Sequence, residues 1–345
     1  MSNMKKFLIL GVAAPMFALI LVAARIYYVI DVWKYQGPEV IFEIKPGDTF
    51  SGINYRLGRD GLVNSTKIFH RYCKINGLLT RFKSGKYQIP SSSNMLDVIN
   101  ILVHGTAITS EVTIPEGKNM YEIATILENK KIINSSQDFI KMAKDPELLK
   151  ELDIAADSVE GYLYPETYKF TSNSEPTFII KSLVKLFRQK TSTLDFSKSQ
   201  LSSHQVIILA SIVEKETGAK QERPIIAGVF MNRLKKRMRL QSDPTTIYGI
   251  WEKYKGNLKK EHLLEHTPYN TYKIGGLPAG PISNPGIDSI KAVLEPKGHD
   301  YLYFVSQNDG THIFSKSYSD HLKAVEHFQK NGSNREGKSW RNLRQ

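Results

Sequence analysis

Two glutamates, Glu214 and Glu216, lie at the end of an apolar helix predicted over residues 204–217. Residues 206–210 are apolar on every side, so the helix is predicted to be buried, and Ser202 or Ser203 is placed to cap its first turn. A carboxylate on the last turn of a buried helix loses its hydration, which raises its pKa and keeps it protonated near neutral pH. A carboxyl group in that state is suited to general acid catalysis.

Helical periodicity favours Glu216 slightly over Glu214 as the acid. The apolar residues that share the face of Glu216 are bulkier than those that share the face of Glu214. The alternative is that both are surface carboxylates that pair with Lys215, Lys220 or Arg223, because charged residues are mostly exposed. The helix alone therefore leaves both interpretations open.

The composition indicates a folded, basic protein. The 345 residues carry 47 Lys and Arg against 34 Asp and Glu, a net charge of +13, and 41% of them are hydrophobic. Excess positive charge favours an anionic partner, either nucleic acid, an acidic membrane face or an anionic polymer, unless the composition is simply rich in lysine. The single cysteine, Cys73, excludes an intramolecular disulfide and a multi-cysteine metal site.

The N-terminus has the pattern of a membrane anchor. Lys5 and Lys6 precede residues 7–24, which carry no charge, and Arg25 is followed by an aromatic, apolar stretch and Trp33. This pattern predicts an uncleaved span with the N-terminus inside and most of the chain outside the cytoplasm. A cleaved signal peptide is the alternative. No interleaving of basic and aromatic residues is typical of nucleic-acid binding, so we predict no nucleic-acid partner.

Two segments, residues 42–69 and 112–139, form an internal repeat with a constant offset of 70 positions. Each predicts a short strand, a glycine turn, an amphipathic helix, a polar cap and a second helix. The first is followed by a predicted strand and helix, and the second by an aromatic, strand-like segment at 161–170. The matching apolar pairs are Ile53 and Ile123, Leu57 and Leu127, and Phe69 and Phe139.

The C-terminal half contains a dense series of motifs. A helix is predicted over residues 223–234 with Pro224 in its first turn, and a second helix is predicted to end at Gly249 with Asp243 as its cap. Residues 269–272 form a polar aromatic cluster. Residues 275–286 hold four glycines and three prolines, which predicts stiff turns with backbone groups open to a ligand. A hairpin is predicted from strands near 301–305 and 312–314.

The series EKET, VFMNRL, MRLQSDPTTIYG, YNTY, GLPAGPISNPG, YLYFV and HIFS resembles the YceG-like (MltG) endolytic murein transglycosylases of bacterial inner membranes. The resemblance covers nearly the whole chain, and its motifs are long and in order. The first repeat unit, with PGDT and a following GxY, also resembles a LysM module, a family that binds glycans containing N-acetylglucosamine. The alternative for that unit is a packing module that only positions the catalytic part.

The resemblance implies a reaction and assigns it to one residue. In the family the glutamate followed by Thr in EKET is the acid/base, which matches Glu216. The implied reaction cleaves glycan strands between N-acetylmuramic acid and N-acetylglucosamine without water and leaves 1,6-anhydro ends, which terminates nascent strands. A protonated Glu216 would protonate the glycosidic oxygen, and its carboxylate would then take the proton of the C6 hydroxyl that attacks the anomeric carbon.

Two other functions remain open. A hydrolytic muramidase needs a second carboxylate, for which Asp243 and Glu222 are candidates, although Asp243 is also explained as a helix cap. In a non-catalytic, peptidoglycan-binding scaffold, Glu216 would be structural only.

Supporting residues are predicted to form the cleft wall and bind sugar, or else to pack. Arg233 is expected either to hold its helix or to meet a substrate carboxylate. The histidines, among them His262, His266, His312 and His321, show no HExxH or other ligand spacing, so we predict no metal and no cofactor. The predicted substrate-binding residues are Arg233, Gln241, Asp243, Tyr248, Tyr269, Asn270 and Tyr272.

The sequence thus predicts an α+β protein with a single N-terminal span. The predicted domains are a cytoplasmic tip and anchor at 1–30, a LysM-like module at 40–110, a second small module and connector at 111–195, a catalytic domain at 196–330 and a basic disordered tail at 331–345. The expected location is the bacterial inner membrane, with the catalytic domain periplasmic. The expected partners are glycan strands, the membrane and, by resemblance alone, wall-synthesis and division proteins.

Overall fold

The chain begins with a long apolar helix. The computed structural model describes residues 2–105 and 108–330. Helix α1 (Ser2–Tyr27) continues into a π-helical turn at Tyr28–Val32. Within the described residues, Ala13–Val32 is the one helical stretch long and apolar enough to cross a membrane. The helix fits the predicted anchor, whereas the predicted tail at 331–345 lies outside the described residues.

The first small module has two strands and three helices. Strands β1 and β2 pair antiparallel, with Phe42 opposite Tyr87. The inward-facing residues of the strands and helices, including Ile53 and Leu57, form one buried core. A side-chain cap fixes each helix start, for example Thr49, which accepts a hydrogen bond from the N–H of Gly52. The elements are β1 (Val40–Ile44), α2 (Phe50–Arg59), α3 (Thr66–Ile75), β2 (Gly85–Ile89) and α4 (Met95–Val103).

The second module follows the same order until its second helix. It then inserts a short helix and closes with a strand that pairs with its first strand. Buried Ile123, Leu127 and Phe139 correspond to the buried apolar residues of the first module. The elements are β3 (Thr109–Thr113), α5 (Met120–Asn129), α6 (Ser136–Ala143), α7 (Pro146–Glu151) and β4 (Thr167–Thr171).

The offset of 70 residues is confirmed at the helix caps. Thr49 caps α2 and Asn119 caps α5. Gly47 and Gly117 both have a positive φ, 81° and 75°, at the turn that precedes these helices. Glycine adopts this conformation without the steric penalty that a side chain brings, so both turns depend on it. The repeat therefore includes turn and cap geometry as well as apolar spacing.

The rest of the chain is mainly helical. Strands β5 and β6 form the predicted hairpin, with Phe304 opposite Phe314. The segment 161–170 was predicted to be strand-like, but a strand forms only at its end, in β4 (Thr167–Thr171). The elements are α8 (Pro176–Thr191), α9 (Ser203–Glu216), α10 (Arg223–Lys235), α11 (Asp243–Gly249), α12 (Lys260–Leu264), α13 (Ile287–Leu294), β5 (Tyr303–Ser306), β6 (His312–Ser315) and α14 (Tyr318–Val325).

Helix α9 is the centre of the C-terminal core. Helices α10 and α13 both pack against it, and α11 contacts it as well. Its residues from Val206 to Val213 are all buried, which agrees with the prediction that the run 206–210, apolar on every side, lies in the core. The end of α9 is therefore held rigidly by packing on several sides.

The chain divides into two compact units. One consists of Met1–Glu111 with Lys169–Glu175, and the other of Val112–Tyr168 with Pro176–Gln345. The mixed helix and strand content of the α+β prediction is confirmed. The bounds of the five predicted domains stay predictions. All residues of the candidate site belong to the second unit.

Candidate active site

The cap of α9 sets the start of the helix and thus the position of its last residue. Ser202 accepts a hydrogen bond from the N–H of Gln205, and the Gln205 side chain accepts one from the N–H of Ser202. This reciprocal capping box satisfies two donors that the first helical turn leaves free. The helix then runs to Glu216, where Thr217 leaves the helical conformation. Of the two predicted caps, Ser202 is the one used.

The two carboxylates at the end of α9 have different environments. Glu214 is 6% exposed. It accepts hydrogen bonds from the Arg223 guanidinium at 2.8 Å, the Ser289 hydroxyl at 2.7 Å and the Gly286 N–H at 3.1 Å. Burial raises the pKa of Glu214, and the charge of Arg223 opposes that shift. With both oxygens engaged inside the protein, Glu214 acts as a buried anchor for α10 and α13.

Glu216 is half-buried and has an oxygen available. The Ser242 hydroxyl donates to its Oε1 at 2.5 Å, while Oε2 accepts no hydrogen bond from the described residues. Burial raises the pKa of Glu216 to about 7, although the Ser242 hydrogen bond opposes the shift. The negative charge of Asp243 raises this pKa further, and Arg233 lowers it. Near neutral pH the group is therefore poised between its two protonation states, as a general acid should be.

Ser242 occupies the N-cap position of α11, and the predicted cap, Asp243, is instead the first helical residue. The prediction was wrong by one position. The Ser242 hydroxyl forms no capping bond and donates to Glu216 instead. The Ser242 N–H donates to the Thr271 hydroxyl at 3.0 Å, which fixes the residue from behind. Gln241 just before it has a φ of 52°, an uncommon conformation for a residue with a side chain.

An open cavity of about 430 Å³ lies beside Glu216. Its walls come from the glycine turn at 116–118, the end of α9 with the loop that follows, and the hairpin turn at 309–311. The Lys215 ammonium donates to the Gly117 carbonyl at 3.1 Å and so joins two of these walls. A cavity of this size falls within the range for small-ligand sites and accommodates a sugar ring.

A buried carboxyl group that sequence reasoning missed holds the glycine turn in place. Glu160 is 1% exposed and accepts hydrogen bonds from the Met120 N–H, the Tyr248 hydroxyl and the Asn284 amide. The Asn284 side-chain amide also donates to the Lys118 carbonyl, and the Asn284 backbone carbonyl accepts a hydrogen bond from the Gly117 N–H. Burial raises the pKa of Glu160 to about 7. This network fixes the wall opposite α9.

Two predicted sugar-binding residues are used inside the protein. Arg233 is 7% exposed and donates to the carbonyls of Leu302 and Leu240, both at 2.7 Å. Asn270 is fully buried, and its amide group bonds to surrounding backbone carbonyls and to Thr246. Both side chains brace loops, in line with the packing interpretation of these positions.

The other predicted residues fall into two groups. Gln241, Asp243 and Tyr272 lie on the Ser242 side of Glu216, where the Tyr272 hydroxyl donates to Asp243 at 2.7 Å. Burial raises the pKa of Tyr272, which keeps it neutral. Tyr248 and Tyr269 are in contact, with ring centroids 4.8 Å apart, and line a second cavity. The structure thus does not place all seven side chains in one cleft.

The second carboxylate that a hydrolase needs has one accessible candidate. Glu222 is 7% exposed and accepts from the His312 N–H at 3.0 Å, with its other oxygen 2.7 Å from His312 Nδ1. Asp243, by contrast, is exposed and follows the residue that contacts Glu216. Of the two, only Asp243 is placed to act together with Glu216.

The glycine- and proline-rich segment at 275–286 was predicted to leave its backbone groups open to a ligand, and this prediction was wrong for half of the segment. Its second half is buried rather than open to a ligand. The Ile282 N–H donates to the Ser211 hydroxyl and Ser283 donates to the Ser211 carbonyl, which docks the segment on α9. Small residues allow this close approach: a Cβ added at Gly161 would lie 2.6 Å from Pro281. The segment positions α9 and supplies no surface for a ligand there.

Comparisons with known proteins give a consistent result. The model of the YceG-like family matches residues 42–327. The chain is 33% identical over 306 residues to a Bacillus subtilis endolytic murein transglycosylase, covering 84% of each protein. It is 29% identical over 314 residues to an endolytic murein transglycosylase of Streptococcus pneumoniae strain D39, covering 82% of this chain and 57% of that protein.

The fold has a similar solved structure. A crystal structure of a YceG-like protein from Listeria monocytogenes superposes with a TM-score of 0.58 at 32% sequence identity. The match covers 83% of this chain and 99% of that one.

Proposed function

Because the chain belongs to the YceG-like family, we propose that it is an endolytic peptidoglycan lytic transglycosylase with Glu216 as its acid and base. The observation that carries the assignment is the contrast between two carboxyl groups on one helix end. Both line the open cavity, but Glu214 is fully engaged by Arg223, Ser289 and Gly286, whereas Oε2 of Glu216 accepts no hydrogen bond from the described part of the chain. Only Glu216 combines access with a pKa raised to about 7.

The proposed reaction needs one carboxyl group in two protonation states. Protonated Glu216 donates its proton to the glycosidic oxygen between N-acetylmuramic acid and N-acetylglucosamine as that bond breaks. The resulting carboxylate accepts the proton of the C6 hydroxyl, whose oxygen bonds to the anomeric carbon and forms the 1,6-anhydro ring. The Ser242 hydroxyl stabilises the carboxylate while it exists. Cleavage inside nascent strands would terminate their elongation.

The test is mass spectrometry of products from uncrosslinked glycan strands. The wild type should release fragments with 1,6-anhydro ends, each lighter by one water than a hydrolytic product. Glu216→Gln keeps the size of the side chain but has no proton to give, so cleavage should be lost while strands still bind. Reducing ends would identify a hydrolase, and cleavage by Glu216→Gln would exclude the proposed acid.

Asp243→Asn separates the lyase from the hydrolase. Asp243 is the exposed carboxylate on the Ser242 side of Glu216. A hydrolase that uses it as nucleophile or base loses nearly all activity in this variant. The proposed lyase keeps most of its activity and shows a lower pKa for Glu216, because a nearby negative charge is removed.

We also propose that α1 anchors the protein in the bacterial inner membrane with the N-terminus cytoplasmic and the second unit periplasmic. The apolar stretch Ala13–Val32 and the lysines that precede it support this orientation. Protease added to spheroplasts should digest the second unit, and protection would refute the orientation. Association with wall-synthesis and division proteins stays a prediction.

The first module is proposed to be LysM-like and to bind glycan. Its order of strand, two helices and strand, with PGDT at the first turn, supports the resemblance. Tyr55 on α2 is 69% exposed and is the proposed sugar contact. Tyr55→Ala in the Glu216→Gln background should weaken strand binding, and unchanged binding would favour a module that only packs.

A further inference from the structure

Two further cavities lie in the second unit near the candidate active site. One of about 420 Å³ shares Lys118 with the cavity beside Glu216. The other, of about 590 Å³, shares Tyr121 and Trp251 with the 420 Å³ cavity. The three cavities therefore form a series, in which Tyr121 and Trp251 line both the 420 Å³ and the 590 Å³ cavity. We call these two cavities together the distal groove.

Tyr121 and Trp251 form an aromatic platform in the distal groove. Their rings are stacked, with centroids 5.8 Å apart and planes at 16°. Both are half-exposed, and the Lys144 ammonium lies 5.3 Å from the centre of the Tyr121 ring. Rings in the core would instead be covered on all sides. Partly exposed aromatic rings on a cavity wall offer flat apolar area beside polar tips, which suits the faces and hydroxyls of a sugar.

The charges of the distal groove favour a neutral ligand. The larger cavity is lined by two lysines, Lys144 and Lys253, and by three carboxylates, Asp157, Glu252 and Glu265. Lys253 pairs with Glu265 at 2.5 Å, and in the smaller cavity Lys118 pairs with Glu122 at 2.6 Å. No excess of positive charge attracts the carboxylates of a stem peptide. N-acetylglucosamine is neutral and has apolar ring faces, and it recurs along the glycan strand.

We propose that the distal groove is a binding subsite for neutral N-acetylhexosamine units of the strand, with Trp251 and Tyr121 as its stacking platform. The inference rests on the proposed function and deepens it, because the groove would hold the strand at a distance from the bond that is cut. A strand held on the groove has its cleaved bond inside the chain rather than at its end. Two of the predicted sugar-binding residues, Tyr248 and Tyr269, line this groove.

The first test reads the platform without altering it. In the full-length Glu216→Gln protein, Trp33 and Trp340 are replaced by Phe, so that Trp251 is the only tryptophan left. Titration with a neutral hexamer of β-1,4-linked N-acetylglucosamine should change the Trp251 emission in a saturable manner. Emission that stays constant up to saturation of binding, measured by calorimetry, would overturn the proposal.

The second test measures what the platform contributes. Trp251→Ala in the Glu216→Gln background should bind the hexamer about tenfold more weakly, as loss of a central aromatic contact usually costs. Phe178→Ala is the matched control, because Phe178 is a 57% exposed aromatic that lines none of the three cavities. Equal affinities for the two variants would contradict the assignment, as would tighter binding of isolated stem peptides than of the hexamer.

The active enzyme separates this proposal from the proposed function. Trp251→Ala should raise the KM for long strands by a larger factor than the KM for a tetrasaccharide, because a longer strand extends further beyond the cavity beside Glu216. Anhydro products together with a silent Trp251 would refute the groove alone. Saturable Trp251 emission without anhydro products from the wild type would refute the proposed function and leave the groove standing.

Discussion

The hydrogen bond from Ser242 to Glu216 gives a prediction that can be worked out in numbers. Ser242→Ala removes a hydroxyl that favours the charged form of Glu216. A hydrogen bond to a charged group exceeds one to a neutral group by about 1.5 kcal/mol, which corresponds to about one pKa unit. The pKa of Glu216, about 7 in the wild type, should therefore rise by about one unit in the variant.

The assay is the pH profile of kcat/KM for anhydro-product formation. The acid must be protonated, so activity falls on the alkaline side with the pKa of Glu216 in the free enzyme. In Ser242→Ala this alkaline limb should move up by about one unit, and the plateau should fall about tenfold because the carboxylate formed in the reaction loses its donor. The helix loses no cap, since the Ser242 hydroxyl forms no capping bond in α11.

Ser289→Ala is the matched control, because its hydroxyl donates to the other carboxylate, Glu214, at 2.7 Å. This variant should lose stability but keep the alkaline limb of the wild type. An alkaline limb that stays in place in Ser242→Ala, or moves to lower pH, would refute the reasoning. A limb that moves equally in both variants would show that the shift comes from general loosening of the site.

Three further predictions concern the elements that hold the site. Gly161→Ala should lower the free energy of unfolding by about 3 kcal/mol, because φ is 87° and the new Cβ would lie 2.6 Å from a proline ring. The control Gly256→Ala, with φ 84° and open space around the new Cβ, should cost about 1 kcal/mol. Equal losses in urea unfolding would be evidence against the close approach at Gly161. Arg223→Met should lower the free energy of unfolding by about 3–5 kcal/mol, because it leaves the Glu214 charge buried and unpaired. Adding Glu214→Gln should restore part of that loss, and no recovery would show that Arg223 acts through packing alone. Burial raises the pKa of Glu160 from 4.5 to about 7, so its contribution to stability is complete below pH 4.5 and is lost as the pH rises through 7. The free energy of unfolding of the wild type should therefore decline between pH 4.5 and 8, and Glu160→Gln should remove about 3 kcal/mol of that decline. Identical pH dependence of the two proteins would contradict this.

Local signals in the sequence were enough to predict the elements around Glu216. The apolar run that ends in two glutamates gave α9, and the constant offset of 70 gave the paired modules, because caps, turns and helix periodicity depend on near neighbours. The composition of 275–286 predicted turns correctly, but it does not indicate whether turns face solvent or core. That segment proved to be half-buried.

The partners of the carboxyl groups were not predictable, because they come from distant parts of the chain. Ser242 is 26 positions from Glu216 in the sequence. The three partners of the Glu160 carboxyl group, Met120, Tyr248 and Asn284, are separated from it by 40, 88 and 124 positions. No periodicity links such residues, and their meeting depends on how the helices pack. Helix periodicity favoured Glu216 over Glu214 only slightly, because it does not show that Ser289 and Gly286, more than 70 positions away, bond to the Glu214 carboxylate. The stacked pair of Tyr121 and Trp251 left no local pattern either.

The position of Glu216 as the last residue of α9 affects how its proton is lost and regained in the proposed catalytic cycle. The C-terminal end of a helix carries partial negative charge, so the carboxylate left after the first step is the unfavourable form. It regains its proton from the sugar itself in the second step and is ready for the next bond. Each turnover then exchanges no proton with the solvent. At a given pH, such an enzyme turns over at a rate independent of buffer concentration, while the pH still sets the fraction of Glu216 that is protonated.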